Sequence, residues 1–220
     1  MLVVDIEADP QGALAAAALP GTAVMVYNSA IDSTEDVVCN IEAAHKANGG
    51  TPLTSIAFAN HAGEVWQLAS DCICHPGQDG CITDASPVIS ALVRCVAKEG
   101  GRIDLLGCRL LMLDPHLPDK LEKEFEGIQF TASDDDTGNR SAGGDWVQES
   151  DGIDITADYF DPVQLKLYTD TLLYVPPWAA GAMLRNQPGG AMWSPSTLPP
   201  AIHVDSTQFS QPVYAPGMRD

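Results

Sequence analysis

Short β-type runs alternate with helical stretches over the first three quarters of this chain, and that alternation constrains its fold more than any other feature. Leu2–Ile6, Ala23–Tyr27, Ser55–Ala59, Ile103–Cys108 and Ile128–Ala132 are compact and rich in Val, Ile, Phe and Ala, as strands buried on both faces must be. Between them lie helix signals. An Ala-rich stretch begins near Pro10 and is ended by Pro20-Gly21. A second follows the capping Ser33 with Asp36 three residues on, carries Val37, Val38, Ile41 and Ala44, and stops at Asn48-Gly49-Gly50. A third has Pro87 in its first turn and an apolar stripe of Val88, Ile89, Leu92, Val93 and Val96. A fourth surrounds Lys120–Phe125. Strands that alternate with helices predict an α/β domain with a mainly parallel, doubly covered sheet, placed here at residues 1–173. Residues 174–220 hold prolines 176, 177, 188, 195, 199, 200, 212 and 216 and are predicted to be an extended proline-rich tail.

The charge balance limits partners. Thirty Asp and Glu face eleven Lys and Arg, for a net charge of −19, which repels phosphate backbones and anionic headgroups. Nucleic acid is therefore not an expected partner. The longest apolar run, Ala13–Leu19, is far shorter than the ~20 residues a spanning helix needs, so no membrane span is expected. No signal or transit peptide is visible, and the compartment stays open. The tail also carries Trp178, Met183, Met192, Trp193, Phe209 and Tyr214, more adhesive side chains than a solvated linker needs, so it is expected to dock on a protein partner.

In an open parallel sheet, ligands bind beyond the carboxyl ends of the strands. His61 and Cys108 both fall at such ends, 47 residues apart. That separation is near the ~50-residue His-to-Cys interval of caspases. A thiol needs a neighbouring base to become a nucleophile near neutral pH, and a histidine on an adjacent strand end supplies one. Gly107 would let a substrate backbone approach, and N–H groups near Ala62, Gly63 and Cys108 would cradle an oxyanion. The plainer reading, a buried small cysteine and a hydrogen-bonded turn histidine, stays open beside it. After the last strand, Asp134, Asp135 and Asp136 either form a solvated turn or line the site and favour a basic substrate side chain.

Asn60-His61-Ala62-Gly63, Asp104-Leu105-Leu106-Gly107-Cys108 and Gly143-Gly144-Asp145-Trp146 together resemble an uncharacterised bacterial domain family. That family is found at the head of large repeat-containing adhesins and is similar to the gingipain and caspase cysteine peptidases. The resemblance spans about Leu2 to Leu173. It implies a caspase-like three-layer α-β-α sandwich, with His61 as general base and Cys108 as nucleophile, acting on a peptide or protein substrate without a cofactor. Ala62 stands where members carry glycine directly after the histidine, and Leu106-Gly107-Cys108-Arg109-Leu110 differs from the caspase Gln-Ala-Cys-x-Gly signature. The alternative is an inactive module of the same fold, serving as an assembly subunit of a larger complex.

Cys39 and Cys95 lie beside helical stripes and are predicted to pack in the core. Cys72, Cys74 and Cys81 crowd one predicted loop, where their spacing with His75 is poor for a tetrahedral metal shell, so no metal is expected and free thiols or a local disulfide stay open.

Overall fold

A computed structural model describes residues 1–75 and 81–174, with the side chains of 81–84 also left aside. The expected tail, residues 175–220, and its docking anchors lie outside the described residues. The strands are β1 (Leu2–Asp5), β2 (Val24–Tyr27), β3 (Ser55–Ala59), β4 (Ala62–Gly63), β5 (Trp66–Ala69), β6 (Cys72–Cys74), β7 (Gly101–Leu106), β8 (Ile128–Ala132), β9 (Val147–Gln148), β10 (Ile153–Asp154) and β11 (Leu173–Tyr174). The helices are α1 (Ala13–Ala16), α2 (Thr34–Ala47), α3 (Cys81–Cys95), α4 (Leu110–Leu113), α5 (Leu117–Glu124) and α6 (Thr156–Tyr159). Five strands form one parallel sheet in the order β2-β1-β3-β7-β8.

The expected central pair is present. β3 and β7 run parallel in a register that sets Ser55 against Arg102 and Ala59 against Leu106. This register equals the spacing between His61 and Cys108, so each follows its strand by the same two residues. The chain runs from β1 outward to β2 and then returns to place β3 on the other side of β1. The strand order therefore switches between β1 and β3, where parallel sheets open a crevice at their carboxyl ends. His61 stands at that switch.

Alternation along each strand feeds two cores. Val3, Ile56, Phe58, Ile103, Leu105 and Phe130 meet Val37 and Ile41 of α2, Val88, Ile89 and Leu92 of α3, and Leu121 of α5. On the opposite face Leu2, Val4, Ala57, Ala59, Leu106 and Cys108 meet Leu14, Trp146, Tyr159, Phe160 and Tyr168. α2 begins as its sequence requires: Ser33 and Asp36 form a reciprocal capping box. No helix among the described residues is long and apolar enough to cross a membrane.

Three expectations need correction. The Ala-rich helix is only Ala13–Ala16, held by Asp9, whose carboxylate accepts the N–H groups of Ala13, Leu14 and Ala15 at 2.7, 2.9 and 3.1 Å. Cys39 is exposed, because Val37 and Ile41 take the inward face of α2 and a residue midway between them points to the other side. Cys72 and Cys74 lie in a strand: β6 pairs antiparallel with β5, and its alternation buries both cysteines while Ile73 faces outward. Cys95 is buried as expected, its thiol 3.2 Å from the Ala91 carbonyl.

Two carboxylates within strands, unexplained by hydrophobic pattern, have structural partners. Asp5 accepts the Ser29 N–H at 3.0 Å and the Ser29 hydroxyl at 2.6 Å, tying β1 to the loop after β2. Asp104, fully buried in β7, accepts the Thr131 hydroxyl at 2.6 Å and the Tyr159 hydroxyl, and pairs with the Arg102 guanidinium at 2.8 Å. It anchors α6 to the second face of the sheet. Tyr159→Phe deletes one hydrogen bond to this buried carboxylate, whose Oδ2 keeps Arg102 Nε at 3.0 Å, and costs about 1.5–3 kcal/mol. Denaturant unfolding checks this: the midpoint falls while the slope stays unchanged.

Candidate active site

The chain leaves β3 through Asn60, whose buried amide fixes the turn. Its Nδ2 donates to the Gln67 carbonyl at 2.7 Å, and its Oδ1 accepts the Trp66 indole N–H at 3.2 Å. His61 follows, half-buried. Its Nε2 lies 2.8 Å from the Glu7 carbonyl oxygen, beyond the end of β1, and its Nδ1 lies 3.2 Å from the Leu172 carbonyl oxygen. Both are acceptors, so a neutral ring donates to only one of them at a time. The ring also meets Tyr174 edge-on, with centroids 6.1 Å apart.

Gly107 and Cys108 follow β7. A Cβ at Gly107 would come within 2.8 Å of the Ala62 Cβ and 3.3 Å of a Leu110 methyl, so glycine here lets the two strand-end turns abut. The space predicted for a substrate backbone is filled by those two side chains. Cys108 has no exposed surface, and its thiol donates to the Thr137 carbonyl at 3.5 Å. Burial, with the Asp136 carboxylate adding to it, pushes the thiol up to about 12. Arg109 then takes a left-handed backbone with φ 59°, its N–H donates to the Asp135 carbonyl at 2.7 Å, and its guanidinium forks onto Asp136 at 2.7 and 3.0 Å.

No hydrogen bond joins His61 to Cys108 among the described residues. What stands on their shared border is the peptide backbone of Leu172. Thr137 offers one carbonyl oxygen to both the Cys108 thiol and the Leu172 N–H, the latter at 2.9 Å. The Leu172 carbonyl oxygen in turn accepts the Ala62 N–H at 3.1 Å and faces His61 Nδ1. The N–H expected to serve an oxyanion therefore holds a carbonyl of the chain itself. From there β11 pairs parallel with β4, Leu173 against Ala62 and Tyr174 against Gly63.

Two glycines admit this strap. At Gly138, with φ 146°, a Cβ would fall 2.6 Å from Thr171 Cα and 2.7 Å from the Asp170 carbonyl oxygen. At Gly63, with φ 152°, it would fall 2.8 Å from a Leu173 methyl. Sequence reading singled out Gly63 for another reason and missed Leu172 and Thr137. A glycine directly after a buried threonine was the only local sign of a close backbone approach.

The acidic turn lies beside Cys108 but is already engaged in part. Asp136 is paired with Arg109, Asp135 accepts from the Ser133 hydroxyl at 3.2 Å, and Asp134 is exposed. Burial and the neighbouring Glu149 push the Asp135 carboxyl up. Carboxylate oxygens of Asp134, Asp135 and Glu149 lie within 4.8 Å of one another. In the predicted cysteine loop, Cys72 and Cys74 face the core, while residues 76–80 and the Cys81 side chain lie outside the described residues.

Fold and site define a mixed α/β domain that carries a histidine and a cysteine at the ends of two adjacent parallel strands. The chain belongs to the DUF4347 family, a domain of unknown function, whose model matches residues 1–172. No curated protein and no solved structure matches it.

A buried thiol held near 12 implies a specific pH response. Folding favours the neutral thiol, so its stabilisation is present below the ordinary value of 9.0 and is lost as pH rises from there toward about 12. Cys108→Ala should flatten the alkaline fall in melting temperature. Alkylation of Cys108 by iodoacetamide, mapped by peptide mass spectrometry, should be slow at pH 7 and rise about tenfold per pH unit up to about 12. Exposed Cys39 is the internal comparison.

Proposed function

We propose that this domain is a caspase-like cysteine endopeptidase, related in fold to the gingipains and built like the heads of large bacterial adhesins, with His61 as general base and Cys108 as nucleophile. One observation supports it above the rest: both residues converge on a single extended peptide unit of the chain, Leu172. His61 and the Ala62 N–H meet its carbonyl oxygen, and Cys108 shares a carbonyl partner with its N–H. A groove that already seats an extended backbone with its carbonyl on an N–H donor has the parts an acyl-transfer site needs.

In this reading the imidazole takes the Cys108 proton, the thiolate attacks the substrate carbonyl, and the Ala62 N–H holds the developing oxyanion. Protonated His61 then supplies the leaving amine. Turnover of any other substrate requires the Leu172 strap to leave the cleft, which would let water and substrate reach the thiol and lower its burial penalty. No cofactor enters the scheme.

A second reading is a catalytically silent module of the same fold that serves as an interaction subunit, with residues 174–220 contacting its partner. The sealed, neutral thiol and the absence of a His61–Cys108 hydrogen bond favour it.

A thiol-directed peptidyl electrophile separates the two. The peptidase reading expects Cys108 to be labelled at pH 7.5 by the peptidyl reagent faster than by iodoacetamide, and His61→Ala to slow that labelling by about tenfold or more. Equal, slow labelling by both reagents and no effect of His61→Ala would favour the silent module.

A further inference from the structure

Leu172 sits between the His61 and Cys108 turns as a peptide unit hydrogen-bonded through both its N–H and its carbonyl. Residues 170–172 lie antiparallel against Thr137–Asn139: Asn139 donates its N–H to the Asp170 carbonyl at 2.9 Å, and Leu172 donates to Thr137. The strap then passes His61 and pairs with Ala62–Gly63. Backbone hydrogen bonds on both sides of Leu172, with its side chain in a closed apolar pocket, are how extended peptides are recognised. The Leu172 side chain is fully buried and belongs to the same core as Cys108, Trp146 and Tyr168. Gly138 brings the strap's backbone closer than a Cβ would allow, since one there would fall 2.6 Å from Thr171 Cα, and Gly63, at φ 152°, lies against Leu173.

We propose that the Leu172–Leu173 peptide bond is the site's own first substrate, and that the pocket around Leu172 selects a leucine-sized apolar residue before the scissile bond. This rests on the peptidase reading. It departs from the basic preference that the Asp134–Asp136 turn suggested, since Asp136 is spent on Arg109 and the residue seated in the groove is apolar.

The chemistry balances with water alone. His61 exchanges its contact with the Leu172 carbonyl for the Cys108 thiol and accepts its proton. Sulfur then bonds the Leu172 carbonyl carbon, the carbon–nitrogen bond to Leu173 breaks, and His61 passes the proton to the Leu173 nitrogen. Water hydrolyses the resulting thioester, regenerating the Cys108 thiol and leaving a carboxylic acid on Leu172. The buried thiol, mostly neutral at the pH of the reaction, makes this a slow, single turnover within the chain.

The test is intact-mass spectrometry of the purified full chain, incubated at pH 7–9 with a thiol reductant. The expected result is two products, one ending at Leu172 and one beginning Leu173-Tyr174-Val175, at a per-molecule rate unchanged by tenfold dilution. Cys108→Ser should abolish both products while still melting cooperatively, at a somewhat lower temperature because the hydroxyl enters an apolar core. Leu172→Asp should slow cleavage by about tenfold or more, whereas the similarly sized Leu172→Met should retain it. An intact chain whose Cys108 still reacts selectively with the peptidyl electrophile overturns self-cleavage and leaves the peptidase reading standing. An intact chain with no selective labelling overturns both. Cleavage at another bond, or cleavage at Leu172–Leu173 that persists in Cys108→Ser, overturns the proposal and assigns the cut to another agent.

Discussion

The parallel pairing of β3 with β7 is the constraint on which the rest depends. Its register carries the two strands to their ends at the same level, so the turns that follow begin side by side. Gly107 then removes the one Cβ that would hold those turns apart. A slip of one residue would turn Ile56, Phe58, Ile103 and Leu105 from one core to the other and would take His61 and Cys108 out of step. Hydrophobic alternation on two covered faces thus fixes the position of polar groups that contribute nothing to the core.

Around that pair the site is held by backbone carbonyls. Glu7, Thr137 and Leu172 each present an oxygen to His61 or Cys108, and they come from the ends of three segments far apart in sequence. The switch of strand order between β1 and β3 brings Glu7 to the imidazole. The turn after β8 brings Thr137 to the thiol, with Arg109 and Asp136 locking the two loops together. Reactivity and packing oppose each other here. The apolar surroundings that seat Leu172 also remove Cys108 from water and keep it neutral, so the same contacts that define a peptide-binding groove silence its nucleophile.

Much of the sheet was legible because buried strands and capped helices write their pattern locally. β3 and β8 coincide with their apolar runs, β7 lies at Gly101–Leu106 where Ile103–Cys108 was expected, and α2 starts just after its capping serine. His61 was legible as a polar residue just past one such run, and Cys108 as the last residue of another. What escaped was long-range. Leu172 pairs with Ala62 across 110 positions, and nothing near either residue announces the partner. Cys39 was misread because Val38 beside it suggested a wider apolar stripe than α2 has. Asp5 and Asp104 had no evident use until Ser29, Thr131 and Tyr159 were placed against them.

The Leu172 peptide unit is clamped between the histidine and cysteine turns. Native-state hydrogen exchange, resolved by NMR at single amides, measures it directly. The N–H groups of Ala62 and Leu172 should be protected nearly as strongly as those of β3 and β7, since both are hydrogen-bonded within a closed core. Exchange of either amide at the rate of an open loop, while β3 and β7 stay protected, would contradict it.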